Sequence, residues 1–295
     1  MAIKILYYLI LLPLSYLPHF VLYRIADFIY FLLAYVIKYR EAVIDENLKN
    51  SFPKKSDKER TKIKKRYYLH LSDLLIESLK NLSISKRSLE KRFTFENLDL
   101  IDNVYDQGKS VITMGGHYGS WERFAIAVGD LTKHEQYGIY KPIKDKFINK
   151  QIKISRERFG MKMISMLMTK KYFIKTPEQL KSIIFGVDQW TSNPRIAHWS
   201  KFLNQDTTFF PAAENLAKQF DWAVVYCSLV KTKRGHYHAT YELITMNPKE
   251  EKEGAIMENF VKKLEATIQN DPPYWLWSHR RWKMTKKEVF GEIQN

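Results

Sequence analysis

Residues 110–131 read SVITMGGHYGSWERFAIAVGDL: a β-branched run, two glycines, a histidine, and a glutamate five residues beyond it. On one continuous helix, five steps of about 100° would put His117 and Glu122 roughly 140° apart, on different faces. The stretch therefore reads as a strand, a loop and a helix. Gly115, Gly116 and Gly119 let the chain turn, and Ser120 is a good N-cap for a helix starting at Trp121. His117 then lies in the loop and Glu122 in the first helical turn, from which a carboxylate can reach back to one imidazole nitrogen. Such a contact fixes the tautomer and raises the basicity of the other nitrogen, as a general base acting on an alcohol requires. The competing reading is a structural His–Glu contact that closes the helix end. The glycines allow close backbone approach and a helix N-terminus favours an oxyanion, which speaks for chemistry. Ser120 lacks the G-x-S-x-G elbow of an acyl-enzyme serine and reads as a cap.

Outward from this stretch the same alternation continues. Apolar runs (SVITM, YGIY, SIIFGV, WAVVYCSLV, YHATYELI) alternate with helical patterns (WERFAIAVGDL, KFINKQIKISRERFG, AAENLAKQF, AIMENFVKKLEATIQ), which predicts an α/β fold. Upstream, Ser56 with Glu59 three residues on predicts a capping box. Apolar residues at helical spacing carry that helix to Leu79. With 295 residues, 45% of them hydrophobic, the chain can bury one large core, and no repeat, low-complexity tract or linker divides it.

The formal charge of +16 draws the chain to polyanions, either nucleic-acid backbones or anionic head groups. The N-terminus discriminates between them. IKILYYLILLPLSYLPHFVLY and IADFIYFLLAYVIKYR are long apolar runs, interrupted by Pro13 and Pro18 and separated by Arg24 and Asp27, so spanning, re-entrant and interfacial placements all stay open. A buried hairpin of a soluble core is the competing reading. No small-residue cleavage site follows, which argues against a signal peptide. Lys38, Arg40 and the basic chain beyond them put the bulk of the protein on the cytoplasmic side. The expected division is a membrane anchor at 1–40 and a catalytic domain at 41–295. The single cysteine, Cys227, rules out a disulfide framework or a Cys-rich zinc site. His236 and His238 lack a third ligand at recognisable spacing and read as decoration of a hairpin strand, so no metal site is expected.

GGHYGSWE, YKPIKDKFINKQIKISRERFG, DQW, FLNQDTTFFPAAENLAKQFDWAVV and PPYWLWSHRRWK, in this order and spacing, resemble the late acyltransferases of bacterial lipid A biosynthesis. ENLKNSFP and YYLHLSDLLIE extend the resemblance over nearly the whole chain. The chain departs from the family pattern at FFPAAEN, where a small-residue and glycine turn is usual. The resemblance implies a glycerolipid-acyltransferase-like fold, with a mixed sheet flanked by helices and an N-terminal membrane anchor, in an enzyme on the cytoplasmic face of the inner membrane. It would move an acyl chain from acyl carrier protein, or from coenzyme A, to a hydroxyl of a lipid A precursor, with no cofactor. His117 would be the base and Glu122 its orienting carboxylate, with Gly115, Gly116 and Gly119 shaping the oxyanion loop. Arg156 and Arg158 fall in the family's arginine-bearing segment, where guanidinium forks suit phosphate. Asp188 and Gln189 follow a strand at the carboxyl end of the sheet and are candidates for the oxyanion or acceptor pocket. Arg280 and Arg281, among aromatics, are candidates to reach lipid phosphates, although Tyr274, Trp275 and Trp277 equally suit a core. A monomer is expected.

Other classes compete. A nucleic-acid-binding module would explain the charge but not the apolar N-terminus, and no recognition signature is present. A silent basic membrane adaptor would leave the glycine-framed histidine without purpose. Within the family, an aminolipid or phosphoglycolipid acceptor is the alternative substrate.

Overall fold

The computed structural model describes residues 2–291 apart from 177, 190 and 192. Its centre is a seven-stranded sheet in the order β1-β9-β8-β2-β5-β3-β4. The strands are β1 (Phe93–Glu96), β2 (Val111–Gly115), β3 (Glu135–Tyr140), β4 (Lys162–Ser165), β5 (Lys181–Gly186), β8 (Ala223–Lys233) and β9 (His236–Thr245). A separate antiparallel hairpin joins β6 (His198–Phe202) to β7 (Gln205–Phe209). In the main sheet β8, β2, β5, β3 and β4 run parallel, while β9 returns antiparallel to β8 and carries β1 parallel to itself. The α/β architecture expected from the alternating runs is the one observed, and its sheet is mixed. β2 sits between β8 and β5, and Val111, Ile112 and Met114 are fully buried, as a continuous apolar run in a parallel sheet requires.

The four expected helices form at Trp121–Ala127, Lys146–Glu157, Ala212–Phe220 and Ala255–Asn270. The capping box forms too: Glu59 N donates to Ser56 Oγ and Ser56 N to Glu59 Oε2, opening the helix Asp57–Lys80. At FLNQDTTFFPAAEN, Leu203 and Asn204 turn the β6–β7 hairpin with φ of 49° and 66°, and Pro211 precedes the next helix.

The apolar N-terminus is helical from Ala2, broken at Pro18 but not at Pro13, which a π-helical turn at Tyr7–Leu11 precedes. Its second part, His19–Val36, is long and apolar enough to cross a membrane, with a mean hydropathy of 1.4. One face of this helix is occupied. Leu22 and Ala26 pack on Ile76 of the helix Asp57–Lys80, Tyr23 Oη donates to Glu77, and Asp27 pairs with Arg234, which also holds the buried Asp73. Its other face shows Phe20, Phe28 and Phe31 to the surroundings.

Candidate active site

At the carboxyl end of the parallel strands, β2 and β5 end side by side with Gly115 opposite Gly186. The chain leaves β2 through Gly116 and His117, passes Gly119 at φ +59°, and enters the helix at Trp121. Gly186 is required for close approach: a Cβ there would stand 2.9 Å from the His117 Cε1. The C-terminal segment clamps the loop from outside. Tyr118 bridges to Trp275, and Gly119 N donates to the Tyr274 carbonyl at 2.9 Å.

The carboxylate on the histidine is Asp188. Its Oδ1 lies 2.5 Å from His117 Nδ1, while Oδ2 accepts from the His117 backbone N–H and from Trp275 Nε1, each at 2.8 Å. Asp188 is 2% exposed, and His117, at 21%, keeps an edge open. Burial alone would raise the Asp188 pKa. The His117 charge and hydrogen bond, with the Trp275 and backbone donors, outweigh that and hold it at about 2. Burial likewise works to lower the pKa of His117, but the Asp188 charge and hydrogen bond, helped by Glu122 and opposed by Arg156, leave it raised above 6.5. An ionised Asp188 facing Nδ1 puts the ring proton there. Nε2 is then an acceptor, and the Gln189 amide donates to it at 3.1 Å.

The expected Glu122–His117 contact is therefore corrected. Glu122 does begin the helix, but its carboxylate turns to Arg156, which donates Nε and Nη2 to it at 2.6–3.0 Å. It acts on His117 through its charge alone. Ser120 does not cap with its side chain, since its hydroxyl donates to the buried Glu77 at 2.8 Å. The loop amides of His117 and Gly119 are committed to Asp188 and Tyr274, so neither of these two is a free oxyanion donor.

The remaining residues separate. Arg156 and Gln189 line the same cavity as His117 and Glu122. Arg158 does not. It donates to the Asn81 carbonyl and stacks on Phe159. Arg280 is exposed, but Arg281 is wholly buried, lying over the Phe209 ring at 4.3 Å and donating to the Thr208 carbonyl, so its expected reach to lipid phosphate is corrected to a core role. Trp275 and Trp277 are core residues. His236 meets Arg92 and His238 meets Thr94 and Glu96, and among the described residues no group of three His, Cys, Asp or Glu side chains is placed to hold a metal.

The cavity has a volume of about 1070 Å³. Four residues in lateral register, Thr113, Ile184, Gly138 and Met163, cross β2, β5, β3 and β4 and line it. Three strand spacings of about 4.8 Å make this row about 14 Å long. Gly138 keeps it open, because a Cβ there would meet Met163 Sδ at 2.9 Å. Cys227, from β8, lines the cavity as well, with its thiol pKa pushed far up by burial, so it is an apolar wall and not a nucleophile. A second pocket, of about 330 Å³ between Arg87, Arg92 and His236, is smaller and shares no residue with this one.

Sheet, loop and cavity together define a class: an α/β protein that presents an Asp-oriented histidine at the carboxyl end of a parallel sheet, above an elongated apolar cavity. The family model for bacterial lipid A biosynthesis acyltransferases matches residues 1–284, and the chain belongs to that family. Comparison with curated proteins gave no match.

Proposed function

We propose that the protein transfers a fatty acyl chain from a thioester, carried by acyl carrier protein or coenzyme A, to a hydroxyl of a lipid A precursor at the cytoplasmic face of the inner membrane. The observation that carries this reading is the His117–Asp188 pair, which leaves Nε2 unprotonated at the head of a cavity lined mostly by apolar side chains. In the proposed step Nε2 takes the proton of the acceptor hydroxyl as its oxygen bonds to the thioester carbonyl carbon. The tetrahedral intermediate then expels the thiolate, which takes the proton back from the imidazolium. The products are an ester and a free thiol, and the step needs no cofactor. Asp188 holds the ring and balances the imidazolium charge. The Gln189 amide, which donates to Nε2, gives way to the acceptor hydroxyl and then serves as a side-chain donor to the developing oxyanion. The acyl chain lies along the row from Thr113 to Met163. The Glu122–Arg156 pair, in the wall, positions the polar end of one substrate.

The test is transfer from a defined acyl thioester to purified lipid A precursor, with products read by mass spectrometry. The wild type should form a mono-acylated product and His117→Ala, still folded by circular dichroism, should not. Wild-type rates in a folded His117→Ala protein would end this mechanism. Modification of an aminolipid or phosphoglycolipid in preference to the precursor would move the acceptor while leaving the chemistry in place.

A further inference from the structure

Outside the N-terminal helices, large exposed apolar side chains gather at the cavity rim. In the turn after β4, Leu167 is 83% exposed, with Met166 and Met168 at 46% and 49%. Met166 N donates to the Tyr140 carbonyl at 2.9 Å, which sets this turn beside the end of β3 and the exposed Ile143. Ile196, 65% exposed, and Phe210 face the same opening, and all of these except Met168 line the cavity. An apolar cluster of this size is unusual on a surface that meets only water.

The charge around it is mainly positive. Residues 141–153 hold five lysines and one acid, Asp145, whose carboxylate accepts from Ile148 N as a helix cap. Lys141, Lys144, Lys146 and Lys150 are exposed, and among the described residues none of them has an ion-pair partner. Lys171 and Lys175, beyond the turn, are exposed too. Apolar tips ringed by lysines match the interface of an anionic bilayer, where the tips enter the acyl region and ammonium groups meet phosphates. An acidic protein would complement the lysines but leave Leu167 unmatched. The rim is also continuous with the apolar N-terminus. Phe147 packs edge-on against Tyr7 at 5.3 Å and meets Tyr8 at 5.8 Å, with Lys4 over its ring.

We infer that the cavity rim is itself a bilayer-contacting surface: residues 166–168 enter an anionic leaflet, the lysines of 141–150 engage its phosphates, and the cavity opens into lipid. A lipid-borne acceptor then reaches His117 without crossing water. This surface is independent of the acyl-transfer reading, because binding alone reports it.

The experiment uses the full chain bound to vesicles of phosphatidylglycerol and phosphatidylcholine. A nitroxide is placed at Leu167→Cys and, as control, at Lys249→Cys, an exposed position just past β9 at the opposite end of the sheet. Cys227, buried but lining the cavity, is replaced by alanine in both so that only the introduced thiol takes the label. The label at 167 should lie about 5–10 Å below the head groups, accessible to oxygen and shielded from an aqueous nickel chelate, with the reverse at 249. Equal aqueous accessibility at the two positions overturns the inference. So does shielding of 167 by acyl carrier protein in solution together with exposure on vesicles, which would make the rim a protein-docking face. Equal insertion into pure phosphatidylcholine overturns the part assigned to the lysines.

Discussion

The two ends of the cavity are built on opposite principles. At its head, Asp188 is enclosed and pinned by three donors, so the histidine can take only one orientation. At its rim, Leu167 and Ile196 project with almost nothing against them. A proton-transfer site needs fixed distances, which close packing and saturated hydrogen bonds supply. A rim that takes in a large amphipathic molecule needs surface that something else will cover. Damage at the head should therefore act on turnover, and damage along the cavity on affinity and selectivity.

The largest effect is expected at the head. His117→Ala should lower kcat by ~10²–10⁴, the usual range for loss of a general base, and Asp188→Asn by ~10² or more. The pH profile adds a sign. A base is active when neutral, and the pKa of His117 is raised, so activity should fall as pH drops through a value above 6.5. Asp188→Asn removes the main raising influence, so the remaining activity should keep its plateau to lower pH. A limb unmoved in that variant would separate Asp188 from the titrating group.

Glu122→Ala should cost less, roughly ten- to a hundredfold, because it frees Arg156 in a partly exposed wall and leaves the His117–Asp188 pair intact. Steady-state rates with each substrate varied would show one KM rising more than the other. A loss equal to that of His117→Ala, confined to kcat, would break the contrast by joining Glu122 to the head. Along the cavity, Gly138→Ala should push Met163 into the acyl row and lower the preference for long over short donors by roughly tenfold, as methylene-scale fits in apolar pockets do. Competition between two thioesters of different length measures it. The smallest effect lies far from both ends: Ser56→Ala should cost about 1 kcal/mol of stability through the lost cap, with kcat unchanged, read by denaturant unfolding.

What was legible in the sequence follows from the range of the interactions. SVITMGGHYGSWE carries its own strand, loop and helix start within a few residues, and all three formed where periodicity and turn chemistry put them. The capping box is a four-residue motif and was equally plain. The partner of His117 was not, because it depends on β5 lying beside β2 and so joins residues 71 apart. Glu122 was near in sequence and had the right chemistry, but Arg156 on a neighbouring helix offered it two charged donors. Arg281 looked like a surface cation because its core role needs Phe209 and Thr208 of a hairpin too short to announce itself. The four-residue strands β1 and β4 were missed for the same reason.

Glu77 gives the N-terminal helix a different standing from that of a leash. It is 2% exposed and accepts from Tyr23 on the apolar helix, from Tyr237 on β9 and from Ser120 at the threshold of the His117 loop. A chain shortened to begin after residue 40 would lose Tyr23 from that carboxylate and Asp27 from Arg234. Glu77 would be left one donor short beside the His117 loop. The native helix is thus not interchangeable with a generic apolar segment of equal length. A soluble version made for crystallisation or screening would keep its loop in register only if new donors were designed onto Glu77 in place of the lost tyrosine.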